Sequence, residues 1–355
     1  MTTEEMKKYV ISDPSYSFLN DDKRLGTNII LLGFGGSVAY GTNTPESDID
    51  VRGIALRSKE DIYLGRDFET FTNEATDTTI YSISRIFGLL ADCNPNTIEM
   101  LGLRDSEYIY VNEIIGRNII SSKRHFLSKK CINTFGGYAT QQLYRLRQKT
   151  LAALSDEEYN AHIAKVISNM HDHLHERYGD LADGVKIFNT DSGLRADVSM
   201  TNVSLEEYYG INNEISSVIK EYNKSSKRNE HAIAHNKINK HAMHLLRLYM
   251  MAIDILEKQE IITYREDEHD LLMSIRNGEM SNESGMTDEF WKLLEEYEKR
   301  FDIAKAYTKL PDKPDYEYLN KLLYCIIDTG IQREMYLDKE TMETMRRMFT
   351  YESDN

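Results

Sequence analysis

The chain has 355 residues, 41% of them apolar and 28% charged, which is enough to bury a substantial core and too long for one ordinary domain. A net charge of −15 excludes indiscriminate binding of nucleic acid, and five prolines exclude an extended Pro-rich tract. No apolar run approaches the roughly 18 residues of a membrane span, the N-terminus MTTEEMKKYV lacks the apolar core of a signal peptide, and Cys93, Cys131 and Cys325 form neither a CxxC nor a disulfide framework; a cytoplasmic protein with no membrane partner is expected.

In chain order, the first third reads as mixed α/β. The apolar run 28–34 predicts a buried strand, which Gly35-Gly36-Ser37 breaks. Residues 37–41 predict a short helix stopped by Gly41, and 42–47, with Pro45, a loop. A second strand is predicted from Asp48 to Leu56 and a third over 78–83. Residues 84–103 read as helix, interrupted at Asn94-Pro95-Asn96. Beyond about residue 112 the three- and four-residue spacing of apolar positions predicts helices over 114–130, 141–154, 157–175, 205–222, 238–257, 288–307 and 316–331, with one strand or hairpin near 185–201. The pattern is α+β. Charge is unevenly spread: residues 115–150 hold eight Lys/Arg and no Asp or Glu, and 220–247 carry +5. Two basic segments in an acidic chain suit a local site for an anionic ligand.

The informative segment is 35–53. On a strand, Asp48 and Asp50 project from one face while Ile49 and Val51 point inward. Two like charges at that spacing ask for a cation between them, and hard oxygen ligands suit Mg²⁺ or Mn²⁺. Gly36-Ser37, at a strand-to-helix turn, lets a ligand approach the backbone, and free amides there attract phosphate. A phosphate-holding loop joined to a metal-holding carboxylate pair suits phosphoryl transfer. No GxxxxGK[ST] and no GxGxxG occurs in this segment.

Gly36-Ser37, ten intervening residues and Asp48-Ile49-Asp50 resemble the motif of the DNA-polymerase-beta-like nucleotidyltransferase superfamily. The longer string Ser37-x-x-Tyr40-Gly41…Ser47-Asp48-Ile49-Asp50-Val51-Arg52-Gly53 resembles a narrower group, the predicted bacterial and phage nucleotidyltransferases of the RNA-repair type. Blocks at 77–87, 94–101, 127–138, 240–248, 263–265 and 275–278 extend the resemblance over roughly residues 28–280. It implies a catalytic domain over 1–112, a small mixed sheet with flanking helices, and a mainly helical substrate-binding domain over 113–355. It also implies a third carboxylate on a neighbouring strand. Asp77, which opens the run 78–83, is the candidate, with Glu69, Glu74 and Asp67 as rivals. Two Mg²⁺ (or Mn²⁺) ions would then be held by Asp48, Asp50 and Asp77. A hydroxyl would attack the α-phosphorus of an NTP such as ATP, and Gly36 and Ser37 would hold the outer phosphates. Arg52, on the carboxylate face, either neutralises the pair, reaches a phosphate, or makes a structural salt bridge.

In the helical half Lys240, His244 and Arg247 recur at helical spacing, with Lys237 one turn earlier. This is either a stripe for a triphosphate or RNA backbone or a solvated basic face; the resemblance at this block favours the former. Arg265 and Arg276 are further anion-binding candidates, and Lys129, Lys130 and Tyr138 are candidate acceptor contacts. His171 and His175 have a spacing that can bind zinc, but Asp172 departs from HExxH. The expected activity is transfer of NMP from an NTP to an RNA or tRNA end. The alternatives are a protein or small-molecule hydroxyl, as in a toxin or phage–host conflict, and a non-catalytic nucleotide- or RNA-binding protein.

Overall fold

The apolar run at Ile29–Phe34 forms strand β1, buried along its whole length as the second strand from one edge of a five-stranded sheet. The structure is a computed structural model that describes residues 1–66, 68–153, 156–190, 193–225, 234–282 and 285–336. The other strands are β2 (Val51–Ala55), β3 (Thr70–Asn73), β4 (Thr78–Ser82) and β5 (Tyr108–Val111), in the order β3-β4-β2-β1-β5. β2 and β4 are parallel and every other pairing is antiparallel, so the sheet is mixed. The sequence predicts β1, β2 and β4. The two edge strands escape it because each is four residues long and half-exposed, with little apolar alternation to read.

The N-terminal helix Thr3–Ser12 starts with a capping box between Thr2 and Glu5. Its Met6 and Val10 join Leu32, Phe34, Val51 and Ile80 in the core on one sheet face. The helix Ile83–Ala91 follows β4 directly and packs against β2 and β4.

This sheet belongs to a compact unit made of Met1–Thr140, Leu245–Met273 and the segment from Leu294 onward. A second unit comprises Gln141–His244 and Ser274–Leu293. The boundary expected between 112 and 113 does not coincide with these units: the sheet-bearing one runs on to Thr140 and takes in later helices. Helices Asp288–Tyr307 and Tyr316–Tyr336 start where their periodicity predicts. The helix expected from Gln141 begins at Lys130 instead. Gly136-Gly137 lowers the local propensity, and burial of Cys131, Phe135 and Ala139 overrides it. In the second unit β6 (Val185–Thr190) and β7 (Gly193–Val198) form the expected hairpin. It packs with helices Asp156–Tyr178 and Leu205–Ser225 around Met170, Leu174, Val185, Ile211 and Val218. No helix among the described residues is long and apolar enough to cross a membrane.

Candidate active site

The ends of β1, β2 and β4 bring three separated segments side by side. Phe34 pairs with Val51, and Val51 with Thr78. One residue further out, the Gly35 N–H donates to the Asp50 carbonyl at 2.9 Å and the Val51 N–H to the Asp77 carbonyl at 3.1 Å. Gly35, Asp50 and Asp77 thus lie abreast at one end of the sheet. The expected second strand starts three residues late: Asp48, Ile49 and Asp50 lie in the loop leading into β2. Their alternation persists without the ladder. Ile49 packs against the core, Val51 is fully buried, and the side chains of Asp48 and Asp50 are left facing away from it.

Gly36 opens the short helix Gly36–Ala39 in the left-handed region, at φ +55°. A Cβ built there would fall 1.8 Å from Asp50 Oδ2, so only glycine lets the Asp50 carboxylate sit against this turn. Ser37 is half-buried, and its carbonyl accepts the Thr42 N–H at 2.9 Å. Asp77 lies just before β4 rather than within it, also left-handed, at φ +44°. That conformation costs an Asp about 1–2 kcal/mol, and the Val51 and Arg52 donors that converge on its carbonyl offset it.

Arg52 joins the two carboxylates. Its Nη2 lies 3.2 Å from Asp50 Oδ1 and 3.6 Å from Asp77 Oδ1, and its Nη1 donates to the Asp77 carbonyl at 2.8 Å. Burial, the hydrogen bond to Asp77 and the negative charges of Asp77 and Glu99 push the Asp50 carboxyl up to about 6, against the pull of Arg52. Two oxygen-donor side chains drawn to one guanidinium are a donor set that a hard divalent cation fits. Asp50 and Asp77 are the residues to hold one. Asp48 is exposed two residues away and is not gathered with them: among the described residues no three Asp, Glu, His or Cys side chains are disposed around a single metal position. Of the rival carboxylates, Glu69 pairs with Arg85 at 3.6 Å and is 72% exposed, and Asp67 lies outside the described residues.

The residue that sequence reasoning missed is Glu99. It is 8% exposed, in a short helical turn among Ile98, Met100 and Leu101. Its Oε1 lies 3.6 Å from where a Cβ on Gly35 would stand, and Arg247 and Arg52 lie in its field. Burial raises its carboxyl above the usual range, and the nearby Arg247, Tyr40, Arg52 and Gly36 hold it back. The signal was a charged residue inside an apolar run, which must find partners once buried. Arg247, expected in an open cationic stripe, is 6% exposed with its guanidinium 3.4 Å from the centre of the Tyr40 ring. Lys240 is exposed and His244 half-buried, both in the second unit. Lys237 has no described side chain.

The other anion-site candidates are largely committed. Arg265 is buried against Asp254. In the acid-free segment, Arg117, Lys129 and Lys130 meet Asp105, Asp312 and Asp92 at 2.6–2.9 Å. A segment without acids in sequence is supplied with them in space. Among the described residues His171 and His175 share no metal position with a third ligand, and His175 faces Asp183 at 3.6 Å.

A stretch of 142 residues is 27% identical to an uncharacterized 38.9 kDa protein from the nrdC–mobD intergenic region of Enterobacteria phage T4. The match covers 36% of this chain and 42% of that protein, so the chain spans less than half the length of the curated relative it matches. No solved structure matches the chain significantly. Residues 15–167, which contain the Gly36 turn, Asp48, Asp50, Asp77 and Glu99, match the family model RlaP, the RNA repair pathway DNA polymerase beta family, and over that segment the resemblance carried by the glycine-serine and Asp-x-Asp motif holds.

Proposed function

We propose that the chain transfers a nucleoside monophosphate from an NTP to a hydroxyl on an RNA end, a tRNA end among them, with release of pyrophosphate. The single observation that carries this reading is the seating of the Asp50 carboxylate on the Gly36 turn with Asp77 alongside. Asp50 and Asp77, with Asp48 close by in sequence, would hold a Mg²⁺ or Mn²⁺, which would supply neutralisation of phosphate charge and a lowered pKa for an acceptor hydroxyl. The chain's own residues do the rest by position. Asp77, 56% exposed at the sheet's end, is placed to accept the acceptor's proton. Arg52 keeps the two carboxylates at a fixed separation and offers its guanidinium to a phosphate once a cation takes over its pairing. Ser37 presents its hydroxyl on the same turn. Lys240 and His244, on the second unit, are the proposed contacts to an RNA phosphate backbone.

The test is incubation of the protein with each NTP labelled at the α-phosphate, Mg²⁺ or Mn²⁺, and total RNA or total protein. Label in RNA that is lost in Asp50→Ala supports the reading. Label in the protein fraction moves the acceptor to a protein hydroxyl. Full transfer by a folded, metal-replete Asp50→Ala variant overturns the site.

A further inference from the structure

We propose that His269 and Tyr264 are positioning residues: together they hold the Gly41 corner of the turn that presents Ser37 and, on the function proposed above, set where the outer phosphates of the NTP meet that hydroxyl. Gly41 follows the short helix Gly36–Ala39 in the left-handed region, at φ +66°. A Cβ built there would overlap the Tyr264 ring, so the ring lies directly on the glycine. The His269 Nε2 lies 2.9 Å from the Gly41 carbonyl oxygen. A carbonyl only accepts, so Nε2 carries the proton and donates. The two rings are 5.9 Å apart and inclined by 29°. One bears on the Cα of Gly41 and the other on its carbonyl. The next amide, Thr42 N–H, donates to the Ser37 carbonyl at 2.9 Å. The held corner is thereby bonded back to the residue it positions.

Both rings ride on a segment that is tied down along its length. Ile261 packs against Gly102, where a Cβ would lie 2.6 Å from the Ile261 carbonyl oxygen. Thr263 Oγ1 donates to the Gly102 carbonyl at 2.8 Å, and Arg265 is buried against Asp254. Tyr264 is backed by Arg104, whose guanidinium lies 3.5 Å from the ring centre. The buried Glu107 carboxylate fixes that guanidinium, accepting from Arg104 Nε at 2.7 Å. The bonds within the turn, Gly41 N–H to the Val38 carbonyl and Thr42 N–H to that of Ser37, fix its shape but not its place. Its place is set from outside, by Arg247 on the Tyr40 ring and by this segment on Gly41.

The transfer arm of the test rests on the function proposed above; the amide arm does not. His269→Phe keeps a ring beside Tyr264 and removes the donor, whereas His269→Gln gives up the ring and keeps an N–H at a similar reach. Hydrogen exchange at the Thr42 amide reads the corner directly. In His269→Phe it is expected to speed up about fivefold, the worth of one ordinary hydrogen bond, while the amides of β1 keep their protection. In His269→Gln it should stay within about twofold of wild type. KM for the NTP should rise by a similar factor in His269→Phe and recover in His269→Gln, with KM for the RNA acceptor unmoved. In a Ser37→Ala background His269→Phe should add nothing further to the NTP KM. A merely structural histidine would lower stability without separating the two KM values. Unchanged Thr42 exchange in folded His269→Phe overturns the proposal, and so does a glutamine variant that exchanges as fast as the phenylalanine one. An NTP KM unchanged in a His269→Phe protein that still transfers overturns the link to Ser37. Should His269→Phe fail to fold, Tyr264→Leu decides at the same amide: faster exchange supports the hold on Gly41, and unchanged exchange overturns it. Faster exchange that His269→Gln corrects, in a protein that labels no acceptor, supports the positioning and counts only against the proposed reaction.

Discussion

Asp254 and Asp50 lie in the same unit, each beside an arginine, and they are served in opposite ways. Asp254, 4% exposed, has Arg265 in direct contact and Lys258 Nζ at 2.8 Å: two cations for one carboxylate. Asp50 has one guanidinium, shared with Asp77, and lies in the field of Glu99. The first arrangement is balanced and serves folding. The second leaves negative charge in excess, at a cost to the fold, in the place where a cationic ligand would remove it. An uncompensated charge beside a turn that tolerates only glycine supports the site proposed above.

Conservative substitutions at the two positions separate these roles. Asp50→Asn is expected to reduce NMP transfer by at least about a thousandfold, near 4 kcal/mol of barrier, and to leave the urea midpoint unchanged or raised. Asp254→Ala should do the reverse. It strands Arg265 in the core and should cost about 3 kcal/mol of stability, read from urea unfolding, with transfer retained in the protein that folds. If Asp50→Asn destabilises and Asp254→Ala does not, the comparison is inverted and Asp50 is the structural pair.

The pH dependence sharpens the same contrast. The folded protein holds the Asp50 proton up to about pH 6, whereas an unfolded chain releases it near pH 4. Between those values the folded state binds more protons, so the site's contribution is complete below about pH 4 and is lost as pH rises through about 6, at most about 3 kcal/mol. The wild-type minus Asp50→Asn difference in stability, measured in metal-free buffer, should show that fall. Mg²⁺ added at pH 7 should raise the wild-type midpoint and leave that of Asp50→Asn in place. A flat difference curve means that Asp50 is ionised in the folded protein without help.

Gly36→Ala comes next in size. Left-handed strain alone costs about 1–2 kcal/mol, and the added methyl must also push the Asp50 carboxylate off the turn. Stability loss in that range together with loss of transfer is expected. Full transfer would show that Asp50 works from another position.

The same physics decides what could be read from sequence. Asp50, Gly36 and the inward-facing Ile49 and Val51 were legible because alternation and glycine are local properties. Asp77 was legible as a candidate because it precedes a run with strand periodicity. Glu99 was not: nothing within its own segment says that it ends beneath the Gly36 turn, which is a property of how the 95–101 turns and the residue 247 region fold onto the sheet. Arg247 misled for the same reason. Helical spacing grouped it with Lys240 and His244, and only packing shows its guanidinium laid on Tyr40. β3 and β5 were invisible because an edge strand of four residues is made by its neighbour rather than by its own pattern.

The smallest effect is expected where sequence charge was most suggestive. Lys129 pairs with Asp312 at 2.8 Å, and both side chains are well exposed, at 43% and 84%. Such a pair is worth about 0.5 kcal/mol or less, so Lys129→Ala should barely move the unfolding midpoint. Its bearing on RNA is the sharper question. Each phosphate contact made by a lysine adds a little under one unit to the slope of log affinity against log salt. A lysine already facing an aspartate releases no counterion from RNA unless that pair breaks. Lys129→Ala is therefore expected to leave the salt slope of RNA binding in place, while Lys240→Ala lowers it by about one unit if Lys240 meets the backbone as proposed. A slope that falls with Lys129→Ala instead would return the 115–150 segment to the acceptor surface.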